Sequence, residues 1–344
     1  MDNKITKKRL SDFLAYEWII MIIVAVVAMV AWEFAYTIGS VKLTVGQEFK
    51  YYYDQNVYGA GEHKLYNLMI DKKVFSYDVL SYTSEGLSSD FNVLSTRLSV
   101  QEGDVIVTDS KEADEESLDK VVRAKLIVDN LYGYSYQKML KDAKTYLRDN
   151  FLLDSLKTTT DYTENSDADL DLASSYANLD ENKIEAHFKK RMKKDNRFRT
   201  QKQIEDGVEL EKQRIEKLCF EVAQFEKLLL AEANHPDLFF RYTKYEQALA
   251  LSTDDKEKEK YEEFVKNQQE QIYGLNVSAL KDYNPSVGET KTNPTEYFSL
   301  IGSDGKADHL VIMAFDFWKY QYDLEFEAIS FINTIVRQCS DILD

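Results

Sequence analysis

The chain has 344 residues and a formal net charge of -17, with 60 acidic against 43 basic side chains. That length allows one or two cores of ordinary size, and the acidic balance argues against a nucleic-acid partner, which needs clustered positive charge. Three prolines and twelve glycines fit a helix-rich architecture with few tight turns, and the two cysteines and four histidines are scattered without zinc-ligand spacing. No cofactor is implied.

Taken in chain order, the first signal is "FLAYEWIIMIIVAVVAMVAWEFAYTI" over 13–38, with two charges, Glu17 and Glu33. It predicts a single transmembrane helix whose anchoring residues include Trp18, Ile19, Ile20, Val24, Val27, Val30 and Trp32. Lys4, Lys7, Lys8 and Arg9 precede it, so the positive-inside rule predicts a cytoplasmic tail over 1–12 and an extracytoplasmic body at the cell membrane, with the lipid bilayer as a partner. The competing reading is a cleaved signal peptide, but "AWEFAYTIGS" is bulky where a small-x-small cleavage site belongs.

The body opens with a predicted strand, "VKLTVGQEFKYYYD", then a short amphipathic helix, then a second strand over Val74–Gly86. Phe91, Leu94 and Leu98 share one helical face, Gly103 stops that helix, and "DVIVT" has the composition of a fully buried strand. The β-α-β-α-β order predicts a parallel sheet. Residues 111–271 read as a helical insertion domain, with an acidic loop over Thr158–Asn182 and an interruption near Asp195–Asn196. Strand signals return at "YGLNVSAL" and "DHLVIMAF", before an amphipathic helix carrying Leu324, Ala328, Phe331, Ile332, Ile335 and Cys339 on its apolar face. The expected fold class is therefore α/β plus α. A transmembrane helix precedes a small parallel α/β lobe (39–110 and 272–344) that the 111–271 helices interrupt.

Four places invite a functional reading. Asp109 and Ser110 end a strand, where open α/β sheets put ligand residues; helix capping is the competing reading. Tyr51 and Tyr53 offer stacking surfaces, or simply core packing. Lys189, Lys190, Arg191, Lys193, Lys194, Arg197 and Arg199 form a basic stretch suited to an acidic partner or anionic surface, or to a solvated face balanced by nearby glutamates. Asp167, Asp169 and Asp171 hint at a calcium loop, but Leu172 and Asn178 stand where an EF-hand needs glycine and glutamate. No nucleophile elbow, phosphate loop or paired-carboxylate motif is present, so no enzyme is expected.

The order strand, helix, strand, helix, "GDVIVTD", a long middle, "DHLVIMAF" and "LEFEAISFINTIV" resembles one lobe of a type 2 periplasmic, ABC-type solute-binding protein, as found in membrane-anchored form in Gram-positive bacteria. The resemblance covers about 40% of the chain and implies a periplasmic-binding-like fold. Charged helices stand where that family has its second lobe, so none of its solute contacts carries over. The resemblance implies a noncatalytic, membrane-anchored binding or scaffold protein accessory to an ABC-type transport system, with a permease as partner. The alternative is a genuine sugar or peptide receptor with a helical second lobe.

Overall fold

The computed structural model describes residues 18–39, 47–54, 56–58, 62–87, 91–100, 102–111, 121–130, 133–152, 178–283, 291–301, 308–316 and 326–343, with isolated positions 7, 8, 11 and 13. Two compact units result, Met1–Thr44 and Val45–Asp344.

In the first unit, helix α1 runs over Trp18–Gly39. Its described side chains, Trp18 to Phe34, are all exposed and apolar except Glu33. Among the described residues no helix is long and apolar enough to cross a membrane. That corrects the expected transmembrane span over 13–38. The expected span took in residues 14–17, which lie outside the described residues, and of α1 only Trp18–Phe34, a stretch of about 25 Å, has described side chains.

The second unit is built on a mixed sheet. Its elements are β1 (Glu48–Tyr53), β2 (Val57–Tyr58), α2 (Glu62–Asp71), β3 (Ser81–Gly86), α3 (Phe91–Ser99), β4 (Val105–Asp109), α4 (Arg123–Asn130), β5 (Gly133–Tyr134), α5 (Tyr136–Phe151), α6 (Glu181–Arg191) and α7 (Gln201–Leu230). There follow β6 (Phe239–Tyr242), α8 (Glu246–Leu251), α9 (Asp255–Lys266), β7 (Gln271–Asn276), β8 (Ser299–Leu300), β9 (Leu310–Phe315) and α10 (Phe326–Cys339). The strand order is β3-β1-β4-β9-β7-β6, with β5 also on β9.

β1 pairs in parallel with β3 and β4, as the β-α-β-α-β order predicts. The rest of the sheet corrects the all-parallel expectation, because β9 runs antiparallel to β4, β5 and β7, and β6 antiparallel to β7. A run such as "LVIMAF" is apolar because both its faces are covered, and that composition says nothing about strand direction. The expected lobe interrupted by a helical insertion also needs correction, since β5 and β6, both inside 111–271, are strands of this same sheet.

Side chains divide between the two faces with the period of two that a pleated strand imposes. Phe49, Tyr51, Tyr53, Val105, Val107, Leu310, Ile312 and Ala314 enter one core with residues of α2, α5, α7 and α10. Tyr52, Ile106, Val311, Met313 and Phe315 enter the other, with Leu94 and Leu98 of α3 and Ala124, Ile127 and Val128 of α4. Helices thus cover both faces of the sheet. Thr200 opens α7 with a capping box, its hydroxyl accepting from Gln203 N while the Gln203 side chain accepts from Thr200 N. The interruption expected near Asp195–Asn196 is present, since α6 ends at Arg191, a 3-10 turn covers Met192–Lys194, and α7 starts at Gln201.

Cys219 and Cys339 are free and buried in the same core. Burial pushes both thiols up to about 12, which keeps them as poor nucleophiles near neutral pH. A water-soluble disulfide reagent should therefore label neither in the native protein and both in denaturant. Stoichiometric native labelling would contradict the packing described.

Candidate functional site

The chain leaves β1 through α2 to reach β3 on one side, then returns through α3 to β4 on the other. Between β1 and β4 the connections part, and the carboxyl ends of those two strands form a topological switch point, where open α/β sheets place ligands.

Asp54 sits there, one residue beyond β1. Its backbone N–H donates to Val107 O at 3.0 Å, extending the β1–β4 ladder. Its carboxylate is 2% exposed as a residue. Thr108 Oγ1 donates to Asp54 Oδ2 at 2.8 Å, Arg123 Nε donates to the same oxygen at 2.7 Å, and Arg123 Nη2 donates to Oδ1. The guanidinium, first residue of α4, thus grips the carboxylate with two donors, the geometry that makes such pairs strong. Asp54→Asn keeps the shape but removes the charge, and should cost about 1.5–3 kcal/mol, the worth of hydrogen bonds to a charged group. A urea midpoint unchanged from the wild type would exclude that role.

Asp109 lies at the same sheet edge. Its Oδ1 accepts from Lys111 N at 2.8 Å, and residues 112–120, where a capped helix would run, lie outside the described residues. Burial pushes its carboxyl up, against the pull of that hydrogen bond and of the His309 and Lys111 charges, while Asp54 pushes with it. Ser110 donates from both N and Oγ to His309 O, at 2.8 and 2.9 Å, locking the end of β4 to the turn that starts β9. His309 holds that turn with φ of 64°.

The other sequence candidates are placed differently. Tyr51 and Tyr53 are buried, and their rings pack on each other with centroids 5.6 Å apart. In the basic stretch, Arg191 turns inward: Nη1 pairs with Asp78 Oδ2 at 2.6 Å and Nη2 with Glu211 Oε2 at 2.8 Å. Arg197 pairs with Asp195 at 2.7 Å and donates to Tyr77 O at 3.1 Å, while Arg199 donates to Asn196 and Lys189 pairs with Glu185. Lys190 and Lys193 are exposed, and the Lys194 side chain lies outside the described residues. The structure brings together Asp109 and Ser110, and leaves the basic stretch as a mixture of interior ion pairs and surface lysines. The acidic aspartates 167–171 also lie outside the described residues.

Sequence reasoning passed over Asp54 and Arg123. The signal was present, because "YYYD" repeats the strand-then-aspartate pattern of "VIVTD". What the sequence hides is that the two strands are neighbours, and that Arg123 lies 69 positions from its partner. Among the described residues no group of His, Cys, Asp or Glu side chains could hold a metal ion. Set against known proteins, the chain matches no family model, no curated protein and no solved structure.

Proposed function

We propose that this chain is a noncatalytic binding or scaffold protein, associated with a membrane through α1 and accessory to a transport system of the ABC type. The observation that supports it is α1 itself. From Trp18 to Phe34 the side chains are exposed around the whole circumference, and Glu33 is the sole charge. A helix apolar on every side needs an apolar surrounding, because each large side chain left in water forfeits about 1.5–3 kcal/mol. Lipid supplies that surrounding, and the body of residues 45–344, a compact unit by itself, is what the helix would hold there. The transport role comes from the sequence resemblance to solute-binding proteins. Co-purification of the detergent-extracted chain tests the reading: associated permease or other envelope proteins are expected, and the chain emerging alone sinks it.

A second reading, a solute receptor, is favoured by one observation, the Asp54–Arg123–Thr108 constellation at the switch point. A thermal-shift panel of sugars and peptides separates the two readings, since a ligand at about 100 times its Kd adds about 2.7 kcal/mol. A shift that Asp109→Asn weakens supports the receptor. A flat response across the panel removes it.

A further inference from the structure

A second polar cluster lies away from the switch point, where the segment preceding β3 meets α6, α7 and the start of α10. Ser76 Oγ is in hydrogen-bond contact with two carboxyl groups at once, Asp78 Oδ1 and, at 2.6 Å, Glu327 Oε1. Asp78 and Glu327 are 4% and 5% exposed. A hydroxyl carries one proton and can donate to one acceptor. With both carboxyls ionised, one of the two contacts would set an anionic oxygen against a lone pair in a dry interior. Two contacts therefore require a second proton, and it must sit on a carboxyl.

The surroundings decide which one. Asp78 Oδ2 takes a 2.6 Å ion pair from Arg191 Nη1, so Asp78 has a guanidinium counterion. Glu327, at the start of α10, has Ser76 as its side-chain hydrogen-bond partner and makes no ion pair among the described residues. We infer that Glu327 is a protonated acid that donates to Ser76 Oγ, that Ser76 passes its own proton to Asp78, and that this relay is a pH-sensitive latch holding α10 to the segment before β3.

The charged groups around the latch fit this assignment. From the segment before β3 come Ser76, Tyr77 and Asp78. From α6 come Arg191 and His187, and from α7 Glu211, Arg214 and Lys217, with the Glu221–Arg337 pair linking α7 to α10. Arg214 pairs with Glu211, Arg191 divides its guanidinium between Glu211 and Asp78, and Lys217 Nζ donates to Val74 O at 2.7 Å. Burial pushes Glu327 up to about 7, the Asp78 charge adds to it, and Arg214 opposes it.

The sign of the pH dependence follows. Between the ordinary glutamate value and about 7 the folded state holds a proton that the unfolded chain has lost, so stability falls as pH rises through that window. Below it the latch is closed; above it Glu327 ionises beside Asp78 and the hold on α10 weakens. Glu327→Gln keeps a neutral donor to Ser76 at every pH.

The test is a denaturant titration of the full chain in detergent at about pH 5.5 and about pH 8.5. The wild type should lose at least about tenfold in its folding equilibrium between the two, and Glu327→Gln should lose clearly less. Equal losses overturn the latch. If Glu327→Gln does not fold, carbon-13 NMR of wild-type protein labelled at glutamate side-chain carboxyls decides instead. One glutamate titrating near pH 7 supports the assignment, and the absence of any glutamate titrating above the ordinary range overturns it.

Discussion

Glu211→Ala should destabilise the body by roughly 3–5 kcal/mol, the cost of leaving buried charges without their counterion. Glu211 is 0% exposed and takes partners from α6, α7 and the segment before β3. Arg214 Nε and Nη2 donate to its two oxygens at 2.9 and 3.0 Å, and Arg191 Nη2 and Tyr77 OH both reach Oε2 at 2.8 Å. His187 Nδ1 lies 3.2 Å from Oε1. Burial alone would raise its carboxyl, but the two guanidinium groups and the His187 hydrogen bond outweigh it and hold it far below the usual range. Its contribution is therefore present above the ordinary glutamate value and lost only in strong acid. In the alanine variant Arg191 and Arg214 face each other across a gap with Asp78 as the remaining anion. Urea midpoints of Glu211→Ala and Glu211→Gln should both fall, the glutamine variant by less because its amide oxygen still accepts hydrogen bonds. Wild-type stability in the alanine variant would mean the cluster is solvated.

The second large effect belongs to Gly103→Ala. Gly103 holds φ of 114°, and a Cβ built there would lie 2.3 Å from Tyr52 Cε2. Tyr52 is fully buried in the core between the sheet and α3, with its hydroxyl donating to Glu102 O at 3.3 Å, so its ring has nowhere to retreat. Overpacking costs about 1–3 kcal/mol, and holding a non-glycine residue at such a φ adds about 1–3 kcal/mol. Replacing the ring by the smaller aliphatic side chain in Tyr52→Leu should recover part of the first cost and none of the second, which a double-mutant cycle measures directly. Additive losses would show that the ring contact carries no energy.

Gly103 also marks how far the sequence could be read. Its place as a helix stop was legible, because a glycine after Phe91, Leu94 and Leu98 ends an amphipathic run. That an aromatic ring of the neighbouring strand packs on it was not, since the ring comes from 51 positions earlier. The same divide runs through the molecule. β4 and β9 were legible from buried apolar composition, and α3, α7 and α10 from their periodicity. β5 and β6 were not, because two and four residues carry too little pattern to separate from the helices around them. At the candidate site Asp109 was found from its position after a strand, whereas the Asp54–Arg123 pair needed the strand order. The arginines at 191 and 197 read as a surface patch because their partners, Asp78 and the Tyr77 carbonyl, lie 113 and 120 positions away. Local pattern reports which face of an element is covered. It does not report which distant charge neutralises a given one.

β9 occupies the middle of the sheet, with β4 on one side and β5 and β7 on the other, yet among the described residues it is the last strand in chain order. A nascent chain that has emerged as far as residue 300 holds the β3-β1-β4 ribbon and the β6–β7 hairpin as two separate pieces, each showing an unpaired edge. Such edges invite pairing with other chains, and long-range strand closure is slow. The body should therefore assemble only after synthesis passes Phe315. A ribosome-stalled series should show protease resistance appearing in a single step at that point, and chains truncated before β9 should aggregate.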